Sequence, residues 1–96
     1  MIINFKDEDA EALFKKLKSP PYQNIKKVAL RKLILLDEAK DLRELSKLPR
    51  NRLEKLGGKE RTYSIRINDQ YRIVFDWIDS NAYNVLINKH DKNYGK

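Results

Sequence analysis

The chain has 96 residues, 41% of them apolar and 36% charged, with 21 Lys and Arg against 14 Asp and Glu for a formal net charge of +7. That length gives core enough for one compact body, so a single domain over residues 1–96 is expected. Cysteine is absent, which rules out a disulfide framework or a thiolate metal site, and one histidine, His90, argues against a zinc centre. No apolar run is long enough to span a bilayer, and the start "MIINFKDEDAE" lacks the charged-then-apolar order of a secretory signal, so the expected location is cytoplasmic.

In chain order, "MIINF" is a short apolar run bounded by charge and predicts a first strand. Asp7, Glu8, Asp9 and Glu11 then crowd the first turn of a helix, where carboxylates meet the positive end of the dipole. Ala10, Leu13, Phe14 and Leu17 fall on one stripe at helical spacing. Ser19-Pro20-Pro21 stops this helix, because the residue before a proline avoids the helical region. A second helix is predicted over about residues 22–39. Its main stripe is Ile25, Val28, Ala29, Leu33 and Leu36, widened by Leu30 and Ile34, and it pairs antiparallel with the first. "DLRELSKLPRN" predicts a turn or one-turn helix closed by Pro49. Strands follow over 52–56, 62–67, 71–78 and 82–88, the first ending at the Gly57-Gly58 turn. The fold class is therefore α+β, with an N-terminal strand and a helical hairpin on one face of a mainly antiparallel sheet.

Strand facing fixes the expected register. A three-residue loop at Asn68-Asp69-Gln70 pairs Ile67 with Tyr71, Ile65 with Ile73 and Tyr63 with Phe75, and only this option keeps one face apolar. It also sets Arg66 opposite Arg72. A second three-residue loop, Asp79-Ser80-Asn81, pairs Trp77 with Tyr83, Phe75 with Val85, Ile73 with Ile87 and Arg72 with Asn88. Tyr63, Ile65, Ile67, Tyr71, Ile73, Phe75, Trp77, Val85 and Ile87 then cover the helices, while Arg66, Arg72, Asn88 and, just beyond, His90 gather on the open face.

Like charges opposed in a sheet cost from a few tenths to about 1 kcal/mol. Two readings of the arginines follow: each is merely solvated and paired with Asp69 or Asp76, or their counter-ion is a phosphate held in a bidentate fork. The surrounding charge leaves both open. Residues 50–72 hold seven basic and three acidic side chains, which suits either a solvated surface or a polyanion-binding face.

"NRLEKL", the glycine turn with basic residues, "YSIRINDQYRIVFDW" and "NAYNV" together resemble the HigB-like, or killer-protein, toxins of the RelE superfamily, most densely over residues 51–87. The resemblance implies a RelE-like α+β toxin of a type II toxin–antitoxin system. Such toxins enter the ribosomal A site and cut mRNA with neither metal nor cofactor. The ribose 2′-hydroxyl attacks the adjacent phosphate, leaving a cyclic phosphate and a 5′-hydroxyl. The implied partners are mRNA, the ribosome and a HigA-like helix-turn-helix antitoxin, through which alone operator DNA is met; no membrane is involved. The family's phosphate-stabilising arginine maps onto Arg72, and its basic cluster onto Lys55, Lys59 and Arg61. Two positions depart from the pattern. Glu54 stands where some relatives have histidine, and Lys89, His90 and Asp91 stand where the family usually has Asp-Tyr-His, with Tyr94 a possible source of the aromatic.

Cleavage of this kind needs a proton acceptor, a proton donor and cations for the developing charge. Arg72 is the expected cation, with Arg66 beside it. His90 is the one side chain with an ordinary pKa near neutrality, although a lone tail histidine can also be simply solvated. Glu54 is a candidate base or a charge partner. Lys55, Lys59, Arg61, Lys89 and Asn88 are expected to hold RNA or the ribosome. Tyr71 and Trp77 belong to the core. A non-catalytic RNA- or ribosome-binding member, or a corepressor acting only with its antitoxin, are the alternative functions.

Overall fold

A computed structural model of the protein describes residues 1–15 and 24–89. The expected helix stop at Ser19-Pro20-Pro21, the apolar Leu17 and the whole tail from His90 onward lie outside the described residues.

Helix α1 spans Glu8–Phe14. Asp7 caps it, its side chain accepting from the Asp9 amide at 2.9 Å, and Glu8, Asp9 and Glu11 sit in the first turn as the dipole favours. The helix buries Ala10 and Leu13, and Phe14 lies against Phe5 with ring centroids 5.6 Å apart. Helix α2, Lys26–Glu38, buries Ala29, Leu33 and Leu36; Ile34, expected to widen that stripe, is 39% exposed. Helix α3, Leu42–Ser46, is capped by Asp41, which accepts from the Glu44 amide at 3.0 Å. Pro49 opens a 3-10 turn, Pro49–Asn51, because its fixed φ and missing N–H suit a first helical position.

The sheet has four antiparallel strands in sequence order: β1 (Glu54–Lys55), β2 (Thr62–Arg66), β3 (Tyr71–Ile78) and β4 (Asn81–Lys89). Gly58, at φ +78°, makes the left-handed turn between β1 and β2. The N-terminal segment lies along β4 as two parallel bridges, Ile2 with Ala82 and Phe5 with Val85, and Ile3 donates to the Ala82 carbonyl at 2.8 Å. Ile65, Ile67, Ile73, Phe75, Val85 and Ile87 are all buried with the helices in one core, and Tyr63, Tyr71 and Trp77 pack at its margin.

The β2–β3 register is the one the apolar alternation predicts: Tyr63 opposes Phe75, Ile65 opposes Ile73 and Arg66 opposes Arg72. The second hairpin differs at its tip. Asp79 and Ser80 form a two-residue turn with φ of +50° and +65°, so Ile78 opposes Asn81, and Trp77 opposes Ala82 rather than Tyr83. Positive φ at both central residues is the signature of a type I′ turn, whose twist matches that of the strands it joins. On its own this turn would send Asn84 and Leu86 inward and Val85 outward. A bulge corrects the phase. Between the pairs Asp76–Tyr83 and Val74–Leu86, the single residue Phe75 faces two residues, Asn84 and Val85, with Asn84 at φ +54°. Beyond the bulge the expected pairs return, Ile73 with Ile87 and Arg72 with Asn88.

Candidate active site

Alternation sends Thr62, Ser64 and Arg66 of β2, and Arg72, Val74 and Asp76 of β3, to the face away from the helices. Glu54 opposes Ser64 and Asn88 opposes Arg72, so both share that face. Together with Lys59 they line a cavity of about 260 Å³, with Val74 and Leu86 among its apolar walls.

Arg72 is the best-held group in it. Its Nε donates to Ser64 Oγ at 2.8 Å, and its Nη2 donates to the Arg52 carbonyl at 2.7 Å, with the Ser64 carbonyl at 3.5 Å. The Glu54 carboxylate stands 3.8 Å from the same nitrogen, and the Arg72 side chain is only 13% exposed. Burial lowers its pKa, Glu54 opposes that, and Arg66 and Arg52 lower it further. A guanidinium nonetheless stays charged at any physiological pH. It has five N–H groups; those on Nη1 have no protein acceptor among the described residues.

Arg52 reaches this arrangement through an αL conformation, φ +43°, at the end of the 3-10 turn. Asn51 anchors the turn: it is fully buried, donates to the Leu45 carbonyl at 2.9 Å and accepts from Lys32. Burial, then Arg31, Arg50 and Arg66, lower the Lys32 pKa.

Arg66 is held differently. It pairs with Asp69 in the hairpin loop, one of the two solvated pairings that the sequence allows. Asp76 does not take the other arginine; it accepts from Thr62 Oγ1 at 2.6 Å and from Asn84 Nδ2 at 3.0 Å. Arg66, Arg72 and Arg52 border a second polar depression of about 210 Å³. Of the remaining sequence candidates, Glu54, Lys59 and Asn88 join Arg72. Lys55 opposes Tyr63 and Lys89 opposes Tyr71, which puts both on the helix-side face at the sheet margin, and Arg61 is exposed before β2. His90 lies outside the described residues.

The family sequence model described as "RelE-like toxin of type II toxin-antitoxin system HigB" matches residues 3–90. The chain belongs to the HigB-like toxins. It is 36% identical over 94 residues to Toxin HigB-1 of Vibrio cholerae, covering 94% of this chain and 98% of that one. It is also 35% identical over 71 residues to an uncharacterized protein of Haemophilus influenzae, covering 73% and 70% of the two chains. In this HigB-like toxin Arg72 is held by two groups that the sequence did not single out, Ser64 Oγ and the Arg52 carbonyl. Ser64 left one signal, a small hydroxyl at an outward position of β2 beside the arginine pair. The carbonyl left none, since any residue at position 52 supplies one.

Proposed function

We propose that this toxin is a ribosome-dependent mRNA endonuclease that needs no metal. The observation that carries the reading is a half-buried Arg72 in the wall of a cavity, oriented by Ser64 and the Arg52 carbonyl rather than by a close carboxylate. The ribose 2′-hydroxyl attacks the adjacent phosphorus, and the bond to the 5′-oxygen breaks, giving a 2′,3′-cyclic phosphate and a 5′-hydroxyl. Arg72 binds the charge that builds on the non-bridging oxygens, as preorganised donors do. His90 and Glu54 are the groups proposed to move the two protons, with Glu54 also serving as counter-ion to Arg72. Lys59, Asn88 and Arg66 hold the message strand. Lys55, Arg61 and Lys89, on the other side and margin of the sheet, suit contacts to ribosomal RNA. The site of action is therefore the cytoplasm. A helix-turn-helix antitoxin of the HigA type is the proposed partner that covers this face or blocks entry to the A site.

Single-turnover cleavage on programmed ribosomes, with 5′ ends mapped, tests the proposal. Cuts inside codons are expected, and His90→Gln should slow them by about 10² and remove one limb of the pH–rate profile. Ribosome binding without any cut would leave a non-catalytic, ribosome-binding toxin instead.

A further inference from the structure

The bulge in β4 builds a second cavity next to the one at Arg72. It has a volume of about 270 Å³, and Lys6, Lys59, Thr62, Asp76 and Asn84 line it. It shares Lys59, Val74 and Leu86 with the Arg72 cavity, so the two are continuous along the open face. Arg72, Val74 and Asp76 point the same way from β3, and four residues of strand separate the arginine from the carboxylate by about 13 Å.

Asp76 is positioned with care. Thr62 Oγ1 donates to one carboxylate oxygen at 2.6 Å and Asn84 Nδ2 to the other at 3.0 Å. Asn84 is in turn fixed by Asn4, whose Oδ1 accepts from the Asn84 amide at 2.8 Å and whose Nδ2 donates to Asn84 Oδ1 at 3.2 Å. Those hydrogen bonds, Thr62 first and Asn84 second, hold the Asp76 pKa below its ordinary value against a smaller effect of desolvation, with Lys59 and Lys6 assisting. The group is thus an acceptor at all physiological pH. An ionised carboxylate offers about four lone-pair sites. Thr62 and Asn84 supply one donor to each oxygen, so each oxygen has capacity for a further one.

We infer that this cavity takes a nucleobase of the strand whose phosphate meets Arg72, and that Asp76 selects guanine there. The inference rests on the proposed RNA-cleaving function and adds its specificity. Guanine presents N1–H and N2–H side by side on its Watson–Crick edge, a fork that matches the capacity left on the two oxygens. Adenine and cytosine offer donors from a single amino nitrogen, and uracil offers one N–H. Single-stranded RNA is read in this manner, on the edges of unstacked bases. Lys6 and Lys59 on either side of the carboxylate suit flanking phosphates, and Val74 and Leu86 supply an apolar surface for the ring.

The test uses four-nucleotide RNAs with 2′-O-methyl groups, which cannot be cut, titrated into the free toxin and followed by amide NMR shifts. Guanine, inosine, adenine, cytosine and uracil are placed in turn at each position. At one position guanine should bind about tenfold tighter than uracil and about fivefold tighter than inosine, which lacks only the N2 amino group. Asp76→Asn should bring these ratios to within about twofold. Inosine is the decisive arm, because a purely structural role for Asp76 in the bulge cannot respond to a change in the ligand. Equal affinities for guanine, inosine and uracil at every position overturn the inference. A preference for adenine or cytosine also overturns it. The function can fail separately: a toxin that prefers guanine yet cuts no message on ribosomes keeps the guanine site and loses the nuclease. Arg72→Ala should weaken every oligonucleotide while leaving the guanine-to-inosine ratio intact.

Discussion

Arg66 and Arg72 face each other across one strand pair, yet the regions around them are chemically opposite. Arg66 reaches a loop carboxylate, Asp69, whose side chain is 92% exposed. Arg72 reaches a hydroxyl and a main-chain carbonyl, and among the described residues its nearest carboxylate, Glu54, stands at 3.8 Å. A carboxylate cancels a guanidinium, whereas neutral acceptors aim it and leave its charge to act on something else. Register alone therefore does not decide whether an arginine is neutralised; the chemistry of its acceptors does. The same rule holds in reverse at Asp76, a carboxylate oriented by a hydroxyl and an amide.

The largest expected effect comes from removing the aimed cation. Arg72→Ala should lower single-turnover cleavage by about 10² to 10³. Circular dichroism should show the fold retained, since the side chain lies on the face away from the helices. Arg72→Lys keeps the charge but not the planar fork, so it should recover only a small part of the rate. Next comes Ser64→Ala, which deletes the acceptor of Nε and should cost about tenfold or more in kcat with little change in KM, given the strength of a charged hydrogen bond. Arg66→Ala should cost less than threefold in kcat, and it should lower the log–log salt slope of ribosome binding by about 0.7. Were Arg66→Ala to slow cleavage as much as Arg72→Ala, the contrast between the two arginines would collapse. The smallest effect is on stability. The Asp76 pKa is lowered from 3.8, so its hydrogen bonds stabilise the fold fully above that pH and cease to do so as pH falls through the lower folded value. Thermal melts from pH 5 to 2 should show the advantage of wild type over Asp76→Asn shrinking below 3.8.

Facing made the β2–β3 hairpin readable, because one register alone buries Ile65, Ile67, Ile73 and Phe75 together. The second hairpin was not readable in the same way. Its turn needs two non-glycine residues at positive φ, and its phase is restored by an extra residue at Asn84; two deviations that cancel leave the outer pairs, such as Arg72 with Asn88, unchanged. The cationic composition of residues 50–72 was plain, but its division between faces was not. Lys55 and Lys59 look equivalent along the chain, and only the pairing of Lys55 with Tyr63 sends it to the other side. Along the chain Arg72 reads either as a phosphate-binding cation or as a solvated partner of Asp69 or Asp76. Its bonds to Ser64 and Arg52 show that it also ties β3 across β2 to the turn before β1.

The bridges of Ile2 to Ala82 and Phe5 to Val85 also set a timetable. Both join residues 80 apart, and the contact of Asn4 with Asn84 spans the same interval. During synthesis at about 5 to 20 residues per second, the first segment must wait about 4 to 16 s for its partner to be made. Until then Asn4 has no Asn84 to fix, and β4 cannot close over the core. The first residues of the chain are therefore seated only after nearly all of it has been made. Chains arrested near residue 80 should show it directly, with residues 1–7 open to protease and no cleavage activity.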